Sequence, residues 1–192
     1  MDVIGVLELS SIAAGIAALD RMVKAAPVSV ITARIVCPGK LVILITGDVA
    51  SVGIALGCGR EGNEDAVVDE LFISNLHPLV IPAIRGRADA GEWDALGVVE
   101  SLSVTAGVRA ADAAAKEAEV RIPEVKLAGG MGGKSTVKIT GPIHEVQAAV
   151  AAAVASIEPR GLLCRQVILP RPHPDIRPFV LGLPHEGTEL WN

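Results

Sequence analysis

The chain has 192 residues, a formal charge of −5 and 51% apolar residues, yet only two Phe, two Trp and no Tyr. An acidic, ring-poor composition excludes a nucleic-acid-binding face, which needs clustered cations and stacking side chains. No uncharged apolar run reaches the ~20 residues of a membrane-spanning helix, so the positive mean hydropathy points to burial between subunits. Val3 to Leu9 then reads as a strand of aliphatic and β-branched residues. Ser10 or Ser11 caps a helix to about Ala26, with Ile12, Ile16, Leu19 and Val23 along one face, and Pro27 stops it. Val28 to Val36 and Leu41 to Thr46 are the next strands, joined by a tight Cys37-Pro38-Gly39-Lys40 turn. Asp48 caps a second helix. A Gly-rich acidic stretch, Gly57 to Asp65, leads to a fourth strand near Asp69 to Leu76.

The same order then returns. Ile4 to Gly15 (IGVLELSSIAAG) matches Leu96 to Gly107 (LGVVESLSVTAG) at a shift of 92 residues, with Glu8 on Glu100, Ser11 on Ser103 and Gly15 on Gly107. After a two-residue insertion, Gly39 to Val49 (GKLVILITGDV) meets Gly133 to Ile143 (GKSTVKITGPI). The second copy has a strand at Leu96 to Leu102, a helix from about Val104 to Ala118, and strands near Val120 to Ala128 and Lys134 to Thr140. A helix from Pro142 to Ile157 and a strand at Leu162 to Leu169 complete it. Each copy is thus βαββαβ, an α+β unit with helices on one sheet face. Residues 1–85 form the first domain, 86–95 a polar linker, 96–173 the second domain and 174–192 a Pro-rich tail expected to be extended and partly disordered. The copies differ most between their second and third strands, where Cys37 to Lys40 is replaced by Gly129-Gly130-Met131-Gly132-Gly133-Lys134.

Few residues carry chemistry by themselves. Ala128 to Ser135 (AGGMGGKS) mimics a phosphate-binding loop, but a strand pattern follows Lys134 where that loop needs a helix. Three cysteines at unrelated spacings make no disulfide framework and fit a reducing cytosol; the N-terminus, interrupted by Asp2 and Glu8, is not expected to be a signal peptide. His77, His144, His173 and His185 lack metal or triad spacing. Glu8 and Glu100 recur in matching strands and read as structural acceptors for backbone or subunit donors. Lys40 and Lys134 recur after the turn, either flanking a pore or pairing with acidic neighbours. Nothing points to an enzyme.

Gly5-Val6-Leu7-Glu8, Met22-Val23-Lys24-Ala25-Ala26, Gly47-Asp48-Val49 and the closing Ile168-Leu169-Pro170-Arg171-Pro172-His173 resemble the shell proteins of bacterial microcompartments. Both copies match, so the resemblance covers the chain to about His173. It is similar to the tandem-domain subclass of that family, the propanediol-utilisation type with Cys-Pro-Gly-Lys in its first turn. The resemblance implies ferredoxin-like domains arranged as a homotrimeric pseudohexamer, placed edge to edge with other shell proteins in a compartment in the cytoplasm. It implies a central pore lined by Cys37, Pro38, Gly39, Lys40, Gly129, Gly130, Met131, Gly132, Gly133 and Lys134. It also implies tile-edge contacts through Lys24, Lys116 and Arg171, although Asn75-Leu76-His77-Pro78 replaces the arginine segment in the first copy.

One further implication concerns metal. A single cysteine cannot hold an iron–sulfur cluster, which takes about four ligands. Three Cys37 thiols around a threefold axis would supply three ligands to one [4Fe-4S] cluster per trimer, for electron or cluster transfer across the shell and to encapsulated redox enzymes. The alternative is an open pore for small metabolites with no metal, and by itself a lone Cys is commonly a small buried apolar residue. Cys58 and Cys164 have no counterpart in the other copy and read as inert.

Overall fold

The computed structural model describes residues 2–91 and 94–181. The first domain runs β1 (Asp2–Leu9), α1 (Ile12–Ala25), β2 (Ser29–Val36), β3 (Lys40–Gly47), α2 (Val49–Arg60), β4 (Val67–Leu76) and a short α3 (Val80–Ile84). The second repeats it as β5 (Ala95–Ser101), α4 (Val104–Glu117), β6 (Arg121–Leu127), β7 (Ser135–Gly141), α5 (Ile143–Ile157), β8 (Leu163–Pro170) and α6 (Arg177–Leu181). The two antiparallel sheets have the same order, β2-β3-β1-β4 and β6-β7-β5-β8. Both copies are therefore unpermuted, two tandem α+β units as the repeat predicts.

Local chemistry explains most boundaries. Ser11 and Ser103 cap α1 and α4 by accepting the amides of Ala14 and Ala106, and Asp48 accepts that of Ser51 at the start of α2. Pro142 stands at the cap position of α5 rather than inside its first turn, and supplies no side-chain acceptor. Two expectations need correction. The stretch from Gly57 is not all loop, because α2 continues through Gly57 and Gly59 to Arg60, with Gly59 seated against Met22. The tail is not simply extended: Pro174–Ile176 forms a 3-10 turn and α6 follows it. Residues 182–192 of the expected tail lie outside the described residues.

β3 is apolar along its length, with Leu41 to Ile45 all buried. The cause is coverage on both faces. Leu7, Ile43 and Ile45 pack beneath α1 and α2 with Met22, Val52 and Leu56. Val6, Val42, Leu44 and Leu71, on the opposite face, join one continuous core with Val104, Val108 and Ala111 of α4. The second domain's first helix thus lies on the open face of the first domain's sheet, against β1 and β4. Each aliphatic side chain so closed contributes about 1.5–3 kcal/mol, which makes this joint far stronger than a pair of linked neighbours.

The apolar stripe of α1 is not its core side. Gly15, Ala18 and Met22 are the buried residues of α1, whereas Ile16 and Val23 are exposed. The matching residues of α4, Val108 and Ala115, are buried.

Candidate functional site

The turn from β2 to β3 is closed by the Gly39 amide donating to the Val36 carbonyl at 2.9 Å. Gly39 has φ +97°, a conformation that side-chain-bearing residues rarely adopt, and the Cys37–Pro38 peptide is cis. Cys37 is exposed on this turn. The longer turn of the second domain is held by the Ala128 amide to the Lys134 carbonyl at 2.9 Å and the Lys134 amide to the Met131 carbonyl at 3.2 Å. Ala128, Gly130, Gly132 and Gly133 all have positive φ, so its glycines serve the backbone path. β7 follows directly, without a helix behind the glycines, and the phosphate-loop resemblance ends there.

The two turns meet within one chain. A Cβ on Gly133 would stand 2.9 Å from the Cys37 carbonyl oxygen and 3.7 Å from Lys40 Nζ. The second turn therefore closes against the first, backbone to backbone, and only glycine permits it. Sequence reasoning left this relation open, since neither turn names its partner.

Behind the turns lie the repeated lysines and glutamates. Lys40 Nζ donates to Glu8 Oε1 at 2.8 Å, and Glu8 is fully buried. Its other oxygen accepts the Val104 amide at 3.2 Å, at the N-terminus of α4. Glu8 is thus the structural acceptor that the repeat predicts, and it joins the two domains. Lys134 Nζ pairs with Glu100 Oε1 at 3.0 Å, with both side chains partly open. The hydrogen bond it donates to Glu100, then that with Cys164, holds the Lys134 ammonium above its ordinary range. Cys164 is exposed rather than packed in an apolar element, and Cys58 is half-buried.

The remaining residues are dispersed. Lys24 pairs with Asp20 at 2.7 Å and Lys116 with Asp112 at 2.6 Å, each one helical turn back. Asp112 also accepts the His77 amide at 2.8 Å, a second polar tie between the domains. Arg171 is exposed, has φ +50°, and donates its amide to the Asp94 carbonyl at 2.8 Å. His144 lies beside Glu145, while His77 and His173 accept amides two residues ahead. A cleft of about 490 Å³ between β2, α3 and β6 is lined by Arg34, Arg85, Arg87, Lys126 and Glu124 over an apolar floor; among the described residues no Ser, Cys or His lines it. Among the described residues of one chain, no group of three or more His, Cys, Asp and Glu could hold a metal ion.

Comparison with known proteins places this architecture. The BMC domain family matches residues 3–76 and again residues 95–172. The bacterial microcompartment shell protein PduT of Citrobacter freundii is 40% identical over 170 residues, 88% of this chain and 92% of that protein. The shell protein EutM of Escherichia coli K12 is 34% identical over 98 residues, covering 50% of this chain and 99% of its own length, as a one-domain relative would. A crystal structure of a microcompartments protein from Desulfitobacterium hafniense DCB superposes with a TM-score of 0.85 at 40% identity, covering 92% of this chain and 98% of that one.

Proposed function

The chain belongs to the BMC-domain family of bacterial microcompartment shell proteins, as a member with two domain copies in one polypeptide, and we propose that three chains close into a six-domain ring that serves as one tile of the shell. The observation that carries this reading is the unequal exposure of matching positions. Ile16 of α1 is 59% exposed where Val108 of α4 is 0%. On the opposite side of the chain, Val167 of β8 is 44% exposed where Leu71 of β4 is 1%. The first domain covers the second, and the chain is left with one bare helix face and one bare sheet face of the same kinds. A neighbouring copy on each side satisfies both, head to tail, by repeating the internal joint.

The polar ties repeat in the same register. Glu8 accepts the Val104 amide inside the chain, so Glu100 would accept the Ile12 amide of the next copy. Asp112 accepts the His77 amide, so Asp20 would accept that of His173. In such a ring Cys37 to Lys40 and Gly129 to Lys134 line the central opening. Lys24, Lys116 and Arg171 take part in the outer, tile-to-tile contacts with other shell proteins.

Cys37 fits a metal role in one respect: it is exposed, on the turn between β2 and β3. Three copies would offer three thiols, with one iron of a [4Fe-4S] cluster left for a ligand from elsewhere. A cluster bound there would supply one-electron transfer across the shell. The chain's own part is to hold Cys37 outward through Pro38 and the Gly39 turn, while Gly133 leaves space for the neighbouring turn. Light scattering on dilute protein should give the mass of a trimer, with flat sheets at higher concentration; a monodisperse monomer would sink the ring. Anaerobic reconstitution followed by iron analysis and electron paramagnetic resonance should give one cluster per trimer. Equal iron in Cys37→Ser would leave the open-pore reading.

A further inference from the structure

Inside the chain, the joint between the domains has a charged corner. Asp69 of β4 accepts a hydrogen bond from Thr105 in the first turn of α4 and pairs with Arg160 at 3.0 Å. Arg109, one turn further along α4, lies close enough for its charge to be coupled to both Asp69 and Arg160. The corner thus sets one short acid on the sheet side against Thr105, Arg109 and Arg160 on the helix side.

The internal repeat locates the matching corner between copies. Strand register identifies the sheet-side residue: Glu8 pairs across to Asp69, and its counterpart Glu100 pairs across to Arg165. The helix caps identify the others, since Ser11 and Ser103 are equivalent and place Ala13 at Thr105 and Ala17 at Arg109. The loop before the last strand is anchored by matching hydrogen bonds, Ser10 amide to Ala66 carbonyl and Leu102 amide to Leu162 carbonyl. Two residues earlier stand Glu64 and Arg160. The charges of Asp69 and Arg160 are therefore reversed in the second version, that of Arg109 is absent, and the volumes are exchanged as well. A long cation replaces a short acid on the sheet side, and two alanines replace Thr105 and Arg109 on the helix side, leaving space for it.

We propose that Arg165 forms an ion pair with Glu64 of a neighbouring copy of this chain, seated over that copy's Ala13 and Ala17, so that the joint between copies carries the reverse of the charge pattern within the chain. This rests on the ring reading above. Arg165 and Glu64 are both exposed in the single chain, and among the described residues neither has an oppositely charged side chain within ion-pair distance. The Glu64 carboxyl is held below its ordinary range mainly by backbone hydrogen bonds, its own amide first and then Gly62, so it is anionic at neutral pH.

The test is charge reversal on the full chain, read by sedimentation at low and high salt. Wild type is measured first: a monomer there overturns the ring, and this inference with it, before any variant is made. Given a wild-type trimer, R165E and E64R should each weaken association at least ~10-fold, the lower end expected for interfacial charge pairs. The double variant R165E/E64R should recover the trimer. Singles that assemble as wild type does, or a double that fails to recover, overturn the pairing and leave the ring standing. Ala17→Arg provides a second route on an exposed helix face. It should weaken assembly by facing Arg165, most at low salt, and R165E should rescue it; an A17R trimer of wild-type strength also overturns the proposal.

Discussion

Glu8 and Glu100 occupy the same place in the two sheets and are met by equivalent lysines, Lys40 and Lys134, yet their settings differ. Glu8 is sealed by the second domain and shared between Lys40 and the Val104 amide. Among the described residues Glu100 pairs with Lys134 alone and stays partly open. The difference does not arise in the domain itself, because the local sequence is repeated. It arises because one copy has a neighbour on that side and the other has none within the chain. A tandem chain therefore displays a joint and its unsatisfied counterpart together, and the first can be used to read the second.

The sharpest way to break that comparison is to place a charge on the two matching helix faces. Val108→Asp buries an unpaired carboxylate in the joint and should cost more than about 4 kcal/mol. Ile16→Asp sets the same group on an open face, so a dissociated chain should change by less than about 0.5 kcal/mol, while the trimer is lost. Urea unfolding at high dilution, beside sedimentation at working concentration, separates the two. An Ile16→Asp chain that unfolds as readily as Val108→Asp would show that the α1 stripe is core after all.

The lysines come next. Lys40→Ala leaves Glu8 buried with one amide as its partner and should destabilise by about 3–5 kcal/mol, the usual cost of breaking a buried pair from one side. Lys134→Ala should cost a dissociated chain far less, because solvent screens its pair. Assembly sharpens the contrast: if Glu100 becomes sealed by the next copy's Ile12 amide, the two variants should converge when unfolding is followed on the trimer. A gap unchanged by assembly would place Glu100 outside the contact between copies.

Much of this was legible in the residues, and the part that was not follows a physical pattern. Element order, the tandem α+β class and the caps at Ser10 or Ser11 and at Asp48 depend on local chemistry, and the structure has them, with Ser11 as the first cap. The α1 stripe Ile12, Ile16, Leu19 and Val23 has correct helical spacing, but periodicity reports an apolar face without saying what covers it. Gly59 within α2 looked like a loop residue because its tight seat on Met22 is a tertiary fact. The approach of Gly133 to Cys37 and the corner at Asp69 are long-range contacts of the same kind. Two-residue insertions between the copies hide the Asp69 to Arg165 equivalence until strand register restores it.

The smallest expected difference lies at the second helices, and it can be read by pH. Asp48 caps α2 by accepting the amide and hydroxyl of Ser51 at 2.9 and 2.5 Å, whereas Pro142 caps α5 without a side-chain acceptor. The side-chain hydrogen bond from Ser51, then its amide, holds the Asp48 carboxyl below its ordinary value of 3.8. A group whose folded pKa is depressed contributes stability that is present above the unfolded value and lost as pH falls through the folded one. Protection of the first α2 amides from hydrogen exchange should therefore be constant above about pH 5 and decline below 3.8, while α5 lacks this component. Asp48→Asn keeps a capping acceptor but no titrating charge, so the advantage of wild type over it should narrow as pH falls through that window. Since acid acts on the whole molecule, the informative quantity is the difference between wild type and Asp48→Asn at α2, compared with the same difference at α5. A difference at α2 that does not change with pH would mean that the cap acts through its shape, with the anion adding nothing.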